Sequence, residues 1–255
     1  MPLLKVVGAS VRILVMNCNT TRSMTEEMER TAATVAGPGT TIVAEQPDWG
    51  PDSAEGYYDS FLTAAAVLDK LSTGSRDFDA LVMAGFGEHG REGARELLDV
   101  PVVDVTEAAA HSAMMLGHKY GVVTTLKRAV PQIEDSLRVA GLVDKCAAID
   151  AADLSVLAVD QDIEATLAAL TLASERVIAA GAEVLVLGCA GMTGLRAELE
   201  RRLALPVIDT VEAAVKTAES LVSLGLRTSK IGAFATPRPK QRLGWPVSGP
   251  ADIEN

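Results

Sequence analysis

Apolar and polar residues follow two alternating patterns along this chain. Short, mostly apolar runs with strand character alternate with longer segments in which apolar residues recur every three or four positions, as on one face of a helix. In the first half, the predicted strands are residues 11–16, 40–44, 79–84 and 101–103, and the predicted helices are residues 23–35, 57–71 and 91–98. Strands and helices that alternate in this way predict βαβ units and a parallel sheet covered by helices.

An internal repeat relates the two halves of the chain. The segment DALVMAGFG at residues 79–87 matches EVLVLGCAG at residues 183–191, and VPVVDVTEAA at 100–109 matches LPVIDTVEAA at 205–214. Self-similarity at a fixed spacing indicates a structural unit that occurs twice. We therefore predict an α/β fold of two similar parallel-sheet domains, related by a pseudo-twofold axis and facing each other across a cleft that holds the active site.

The candidate chemistry lies at the end of the strand predicted at residues 184–188, where Cys189 is followed by small residues and a helical pattern from Thr193. Ligands bind at the carboxyl ends of parallel strands. The N–H groups of a helix start favour a thiolate, so we predict a functional thiol with a lowered pKa. The alternative is a small core residue, because free cysteine is often buried. In the repeat, the position equivalent to Cys189 is Gly85.

Composition narrows the classes of partner. The chain has 255 residues and a formal net charge of −11, which argues against nucleic acid or an anionic membrane as a partner. Hydrophobic residues make up 48% of the chain and aromatic residues only 4%, so we expect a core of Ala, Val and Leu between helices and sheets.

The three cysteines, Cys18, Cys146 and Cys189, are odd in number and have no CxxC spacing. A structural zinc site or a disulfide framework is therefore not expected, and a reducing, cytoplasmic compartment fits best. No apolar run approaches the length of a membrane span. Residues 1–10 are too short for a signal peptide and are interpreted as an extension ahead of the first strand.

Three motifs carry a resemblance to a known family. NCNT at residues 17–20 resembles Asn-Pro-Asn-Thr, AGFGEHG at 84–90 resembles Ala-Cys-Phe-Gly-Asp-Pro-Gly, and GCAGM at 188–192 is identical to Gly-Cys-Ala-Gly-Met. These are motifs of the aspartate/glutamate/hydantoin racemase superfamily, and the match is nearest to hydantoin and allantoin racemases. The resemblance covers about residues 11–236.

The resemblance implies two domains, with the chain crossing after Asp104 and returning near Asp209. Together with the repeat, it predicts a first domain of residues 11–104 and 210–236, a second domain of residues 105–209, and a tail at 237–255 that wraps the surface or a neighbouring subunit. It further implies a small-molecule substrate with a hydantoin-like ring, and a homo-oligomer.

Inverting a carbon next to a carbonyl requires a base on one face of the substrate and an acid on the other. Two thiols across the cleft would supply both, and hydrogen-bond donors would stabilise the charge that develops on the carbonyl oxygen. No metal or organic cofactor is required. The predicted substrate-binding residues follow the strand ends: Asn17, Asn19, Phe86, Gly87, Thr125, Ala190, Gly191 and Met192.

The chain departs from the family pattern where Gly85 stands in place of the first cysteine. We predict that Gly85→Cys would restore a thiol opposite Cys189 and recover racemisation. Cys18 replaces a proline, and it either lines the cleft or is a buried structural thiol. Glu88 and His89 are candidate substitute acids, although His89 is better interpreted as a solvated residue at a helix start. Cys146 is predicted to lie in the core.

Three functions remain open at this point. The first is a hydantoin or allantoin racemase, in natural or engineered form, that lacks its first thiol. The second is a cofactor-free decarboxylase, similar to arylmalonate decarboxylases, in which Cys189 alone donates a proton. The third is a non-catalytic protein that binds a small molecule in the same cleft.

Overall fold

Two parallel four-stranded sheets form the frame of the molecule. The computed structural model describes residues 10–159 and 161–241. The strands are β1 (Val11–Asn17), β2 (Thr40–Glu45), β3 (Ala80–Ala84), β4 (Val102–Asp104), β5 (Tyr120–Thr124), β6 (Cys146–Ala151), β7 (Val184–Leu187) and β8 (Val207–Ile208). The first sheet has the order β2-β1-β3-β4 and the second the order β6-β5-β7-β8. The second order repeats the first, and all pairings are parallel, so the predicted fold class is confirmed.

Helices connect the strands in the βαβ manner that the alternating pattern predicts. They are α1 (Arg22–Val35), α2 (Tyr57–Thr73), α3 (Arg91–Leu97), α4 (Val105–Met114), α5 (Val130–Val139), α6 (Ile163–Ala179), α7 (Arg196–Leu203) and α8 (Thr210–Ser223). The prediction of a helix from Thr193 is wrong. Ala190–Met192 forms a short 3₁₀ turn, and Gly194 then takes a φ of 86°, so the regular helix begins only at Arg196.

Side chains that alternate along each strand divide the core into layers. On β1, Ile13 and Val15 face a central core that also contains Val122 and Val186 from the second sheet. The intervening residues of β1 and β3 join an outer core on the first sheet, and Leu185 and Leu187 belong to an outer core on the second. The central core therefore joins the inner faces of both sheets.

The chain crosses between the sheets at two equivalent joints. Helix α4 follows β4 but contacts β7 of the second sheet, and α8 follows β8 but contacts β3 of the first. Asp104 caps α4 by accepting from Thr106 N at 2.9 Å, and Asp209 caps α8 by accepting from Val211 N at 2.9 Å. These caps satisfy N–H groups that a helix start leaves unpaired, which fixes the turn at each joint.

Beyond α8 the chain passes α3 beside the first sheet, where Lys230 Nζ donates to the carbonyl oxygen of Arg95 at 2.6 Å.

The residue limits of the two domains stay a prediction. Positions 1–9 and 242–255, which hold nearly all of the predicted extension and most of the predicted tail, lie outside the described residues. Within residues 10–159 and 161–241, no helix has both the length and the apolar content needed to cross a membrane.

Candidate active site

The carboxyl ends of four strands, two from each sheet, line a single cleft. Strands β1 and β3 contribute from the first sheet, and β5 and β7 contribute from the second. Eight of the ten predicted site residues line this cleft: Asn17, Asn19, Gly85, Phe86, Thr125, Cys189, Ala190 and Gly191. The internal repeat therefore brings together residues that are distant in sequence.

Gly87 and Met192 do not line the cleft. The N–H of Gly87 donates to Thr106 Oγ1 at 2.8 Å, which ties this residue to the start of α4. The side chain of Met192 is buried in the outer core of the second sheet. Its backbone N–H donates to the carbonyl oxygen of Cys189 at 3.0 Å, which closes the turn. Met192 therefore fixes the turn that follows the thiol and contributes no surface to the cleft.

Cys189 follows β7 directly and is the cap residue of the 3₁₀ turn Ala190–Met192. The prediction that its pKa is lowered is wrong. Burial raises the pKa of the Cys189 thiol, and hydrogen bonds from the backbone N–H groups of Gly191 and Met192 offset this only in part. A three-residue turn carries little of the dipole that a full helix supplies, so desolvation is the larger effect.

Asn17 and Asn19 form a rigid polar turn after β1. Asn17 Nδ2 donates to Asn19 Oδ1 and to Thr25 Oγ1, both at 3.0 Å. Asn19 Oδ1 also accepts from Thr21 N at 2.9 Å. Within the part of the chain that the structure describes, the partner of Asn19 Nδ2 is the Met24 sulfur, at 3.6 Å. Because a thioether is a weak acceptor, Asn19 Nδ2 is the donor of this turn that is most available to a ligand.

The space beside Gly85 is already filled. A Cβ atom built on Gly85 would lie 2.6 Å from His89 Cδ2, 2.8 Å from Cys18 Cβ and 2.9 Å from Cys18 Sγ. Contacts this short do not occur between real side chains, so Gly85 is required for the close approach of these two residues. Sequence reasoning named Cys18 and His89 separately but did not place them together, because the contact depends on the register of β1 and β3.

His89 is buried, with 5% of its surface exposed, so its interpretation as a solvated residue is wrong. Its Nδ1 lies 2.8 Å from Thr63 Oγ1, and its Nε2 lies 3.3 Å from the carbonyl oxygen of Phe86. Burial lowers the pKa of His89 to about 4. The ring is therefore neutral at physiological pH, and both of its nitrogens have protein partners.

Glu88 does not line the cleft and instead caps α3, where its Oε1 accepts from Arg91 N at 3.0 Å. Burial, together with a hydrogen bond to Glu92, raises the pKa of Glu88 to about 8. Arg91 is itself almost fully buried and lies between Glu92, at 2.8 Å, and Asp104, at 3.5 Å. This cluster stabilises the loop behind Gly85 and Phe86.

The third cysteine lies outside the cleft, whereas two residues that the sequence did not indicate line it. Cys146 is on the edge strand β6, with its sulfur 3.4 Å from the carbonyl oxygen of Ala148, and it is partly exposed although core burial was predicted. Gln132 and Met24 line the cleft from α5 and α1. No motif marks them, since each is one residue of a helix face that only the tertiary structure directs to the cleft.

Comparison with known proteins identifies the class. The sequence profile of the Asp/Glu/Hydantoin racemase family matches residues 13–218. A hydantoin racemase from Paenarthrobacter aurescens is 39% identical over 236 residues, which cover 91% of this chain and 100% of the relative. The chain belongs to the Asp/Glu/hydantoin racemase family, and it is an isomerase that acts on a small molecule.

Solved structures agree with this assignment. The crystal structure of an allantoin racemase from Pseudomonas fluorescens is 52% identical, with a TM-score of 0.89, and the match covers 92% of this chain and 100% of that one. An allantoin racemase from Klebsiella pneumoniae is 42% identical, with a TM-score of 0.87, and the match covers 91% of this chain and 95% of that one.

Proposed function

We propose that this protein racemises allantoin or 5-substituted hydantoins without a cofactor, with Cys189 transferring the proton at ring carbon C5. One observation carries the proposal. The thiol of Cys189 lies at the end of β7 in a cleft shared by both sheets, next to the N–H groups of the turn that follows. The relatives named above are hydantoin and allantoin racemases, and each of them matches more than nine-tenths of this chain.

The cleft supports both parts of the reaction. The thiolate of Cys189 removes the C5 proton, and the electron pair moves onto the neighbouring carbonyl oxygen to give an enolate. Asn19 Nδ2 and the backbone of the turns after β3 and β7 are the donors available to that oxygen, and such donors are most effective when they are fixed in advance. Protonation of C5 from the opposite face then completes the inversion.

The test uses each enantiomer of allantoin and of a 5-substituted hydantoin in deuterated water. Optical rotation reports inversion, and loss of the C5 proton signal reports exchange. We expect inversion with exchange at a rate that a chelator leaves unchanged. Cys189→Ala should lower racemisation by about 10²-fold to 10⁴-fold, the usual contribution of one acid–base group, and Cys146→Ala should match the parent.

Other outcomes separate the alternatives. A decarboxylase would release carbon dioxide from an arylmalonate and leave hydantoins unchanged, and a binding protein would retain a hydantoin without exchanging its C5 proton. If Cys189→Ala keeps full activity, or if a chelator abolishes it, the proposed mechanism is wrong.

We also propose that the chain acts as a homo-oligomer in a reducing, cytoplasmic compartment. The first point is supported by an apolar patch on α2, where Tyr58 and Phe61 are 74% and 71% exposed. A patch of neighbouring aromatic residues on a surface is typical of a protein interface. The second is supported by three cysteines that form no disulfide with one another. Light scattering of the purified chain, compared with Phe61→Glu, tests the oligomer.

A further inference from the structure

We propose that Cys18 is the second acid–base residue of the cleft, and that it serves the face of the substrate opposite to Cys189. The inference rests on the proposed racemase function. It assigns a catalytic role to a thiol on β1, although the repeat places the equivalent of Cys189 at Gly85 on β3.

The register of the first sheet brings the two positions together. In the parallel pair β1–β3, Asn17 lies opposite Ala84, so the next residues, Cys18 and Gly85, lie side by side where both strands end. Cys18 Sγ is 2.9 Å from the position that a Cβ at residue 85 would occupy. The sulfur of Cys18 therefore stands where a side chain at position 85 would begin.

The second sheet shows the complementary arrangement. In the parallel pair β5–β7, Val123 lies opposite Leu187, so Thr125 lies beside Cys189 two residues further on. In the second sheet, Cys189 follows β7, and its neighbour after β5 is Thr125. In the first sheet, the positions are exchanged: Cys18 follows β1, and its neighbour after β3 is Gly85. Each sheet thus brings one thiol to the shared cleft, and the two thiols follow strands that are not equivalent in the repeat, β1 in the first sheet and β7 in the second.

The remaining groups in the cleft leave this role to Cys18. Among the described residues that line the cleft, the titratable side chains are Cys18, His89 and Cys189. Both ring nitrogens of His89 are engaged, by Thr63 and by the carbonyl of Phe86. The edge of the His89 ring that faces Gly85 is a carbon, Cδ2, which cannot carry a transferable proton.

The two thiols also influence each other electrostatically. Burial, followed by the charge of Cys189 and a smaller effect of Asp104, raises the pKa of Cys18 to about 12, and only the Cys18 backbone N–H opposes this. Two interacting groups of this kind lose their protons one after the other. When Cys189 is a thiolate, Cys18 therefore keeps its proton, and the pair provides one base and one acid.

The proton balance of the step is closed. The Cys189 thiolate takes the C5 proton of one enantiomer and becomes a thiol, while the enolate forms. The Cys18 thiol then gives its proton to the opposite face of C5 and becomes a thiolate. In the reverse direction, the Cys18 thiolate is the base and the Cys189 thiol is the acid. Proton exchange with solvent restores the starting pair.

The test compares Cys18→Ala and Cys18→Ser with the control Cys146→Ala, whose sulfur lies on the edge strand β6 outside the cleft. Each enantiomer is incubated separately in deuterated water, and inversion and C5 exchange are measured apart. We expect both Cys18 variants to lose about 10²-fold to 10⁴-fold in racemisation. Each should still exchange the C5 proton of one enantiomer, with retention, through Cys189. Cys189→Ala should retain exchange of the other enantiomer.

This opposite selectivity distinguishes catalysis from packing, because a structural loss would lower the exchange of both enantiomers together. The proposal is overturned if folded Cys18→Ser racemises at the parental rate, or if it loses both exchange reactions equally. Circular dichroism verifies the fold of each variant. Failure of the proposed function looks different, since the parental chain itself would then invert neither allantoin nor any hydantoin.

Discussion

The two sheets have the same strand order and the same capped crossing helices, but the ends of their strands differ. After β7, Cys189 is followed by Ala190 and Gly191 in a 3₁₀ turn, whose backbone N–H groups partly oppose the rise in the thiol's pKa. At the end of β3, Gly85 has no side chain, and the space is filled by Cys18 and His89. A duplicated topology therefore fixes where a cleft forms, while the side chains around it are free to diverge between neighbouring strands.

The largest expected effect comes from the buried thiol at the end of β7, which should make the reaction depend on pH. Burial raises the pKa of Cys189 above its ordinary value of 9.0. The thiolate fraction is then small at pH 7 and grows about tenfold with each pH unit up to that pKa. We expect kcat/KM for racemisation to rise about 100-fold between pH 7 and pH 9. A plateau reached by pH 7 would instead show that the thiol is ionised in the free enzyme.

A glycine substitution in each half tests how tightly the two strand ends are packed. Gly85→Cys must displace Cys18 and His89, so we expect it to lower the free energy of unfolding by about 1–3 kcal/mol, as overpacking does. For the same reason, the predicted recovery of racemisation by this single change is not expected. In the control Gly191→Ala, the new Cβ would come no closer than 3.5 Å to Cys189 Sγ. Its cost should stay below about 1 kcal/mol.

Urea unfolding at a fixed pH, followed by far-ultraviolet circular dichroism, measures both glycine variants. Equal stability of Gly85→Cys and the parental chain would contradict the close packing of Cys18 and His89 against Gly85. A cost of Gly191→Ala as large as that of Gly85→Cys would remove the difference between the two strand ends.

The two capping aspartates should respond differently to removal of their charge. Both oxygens of Asp209 accept hydrogen bonds, since Oδ2 accepts from Thr193 Oγ1 at 2.8 Å and from Gly194 N at 3.0 Å. Asp209→Asn keeps only one acceptor and should cost about 1–2 kcal/mol. Asp104 caps through Oδ1 alone, so Asp104→Asn preserves its hydrogen bonds and should cost less at neutral pH.

Asp104 also gives this comparison a pH signature. Burial raises the pKa of Asp104 from 3.8 to about 7. Because the folded state then binds the proton more tightly, this group's contribution to stability is complete below pH 4 and is lost as pH rises to about 7. Chemical unfolding of Asp104→Asn across this range should show a flatter dependence than the parent. An unchanged slope would contradict the buried, protonated carboxyl.

The α/β fold with two similar parallel sheets and most of the cleft follow from the sequence, because both depend on the repeat. The match between 79–87 and 183–191 places Gly85 and Cys189 at equivalent strand ends, and the strand registers of the two sheets agree. The pKa of Cys189 and the burial of His89 were missed. Both depend on side chains from other elements, such as Thr63 on α2, and on a turn too short to act as a helix. Neither is encoded in a local motif.

Helix α8 has a consequence for how the chain folds as it is synthesised. It contacts β1 and β3 of the first sheet, yet among residues 10–159 and 161–241 it is the last α-helix in chain order. Helices α1 and α4 cover part of the inner face of that sheet, and the cover is completed only when α8, which ends at Ser223, has emerged. Helices α6 and α7, by contrast, reach the second sheet from nearby in sequence. Contacts between elements far apart in sequence, such as β1 and α8, form late and slow folding. The half synthesised first is therefore the half completed last, and its apolar face is the one a chaperone would meet.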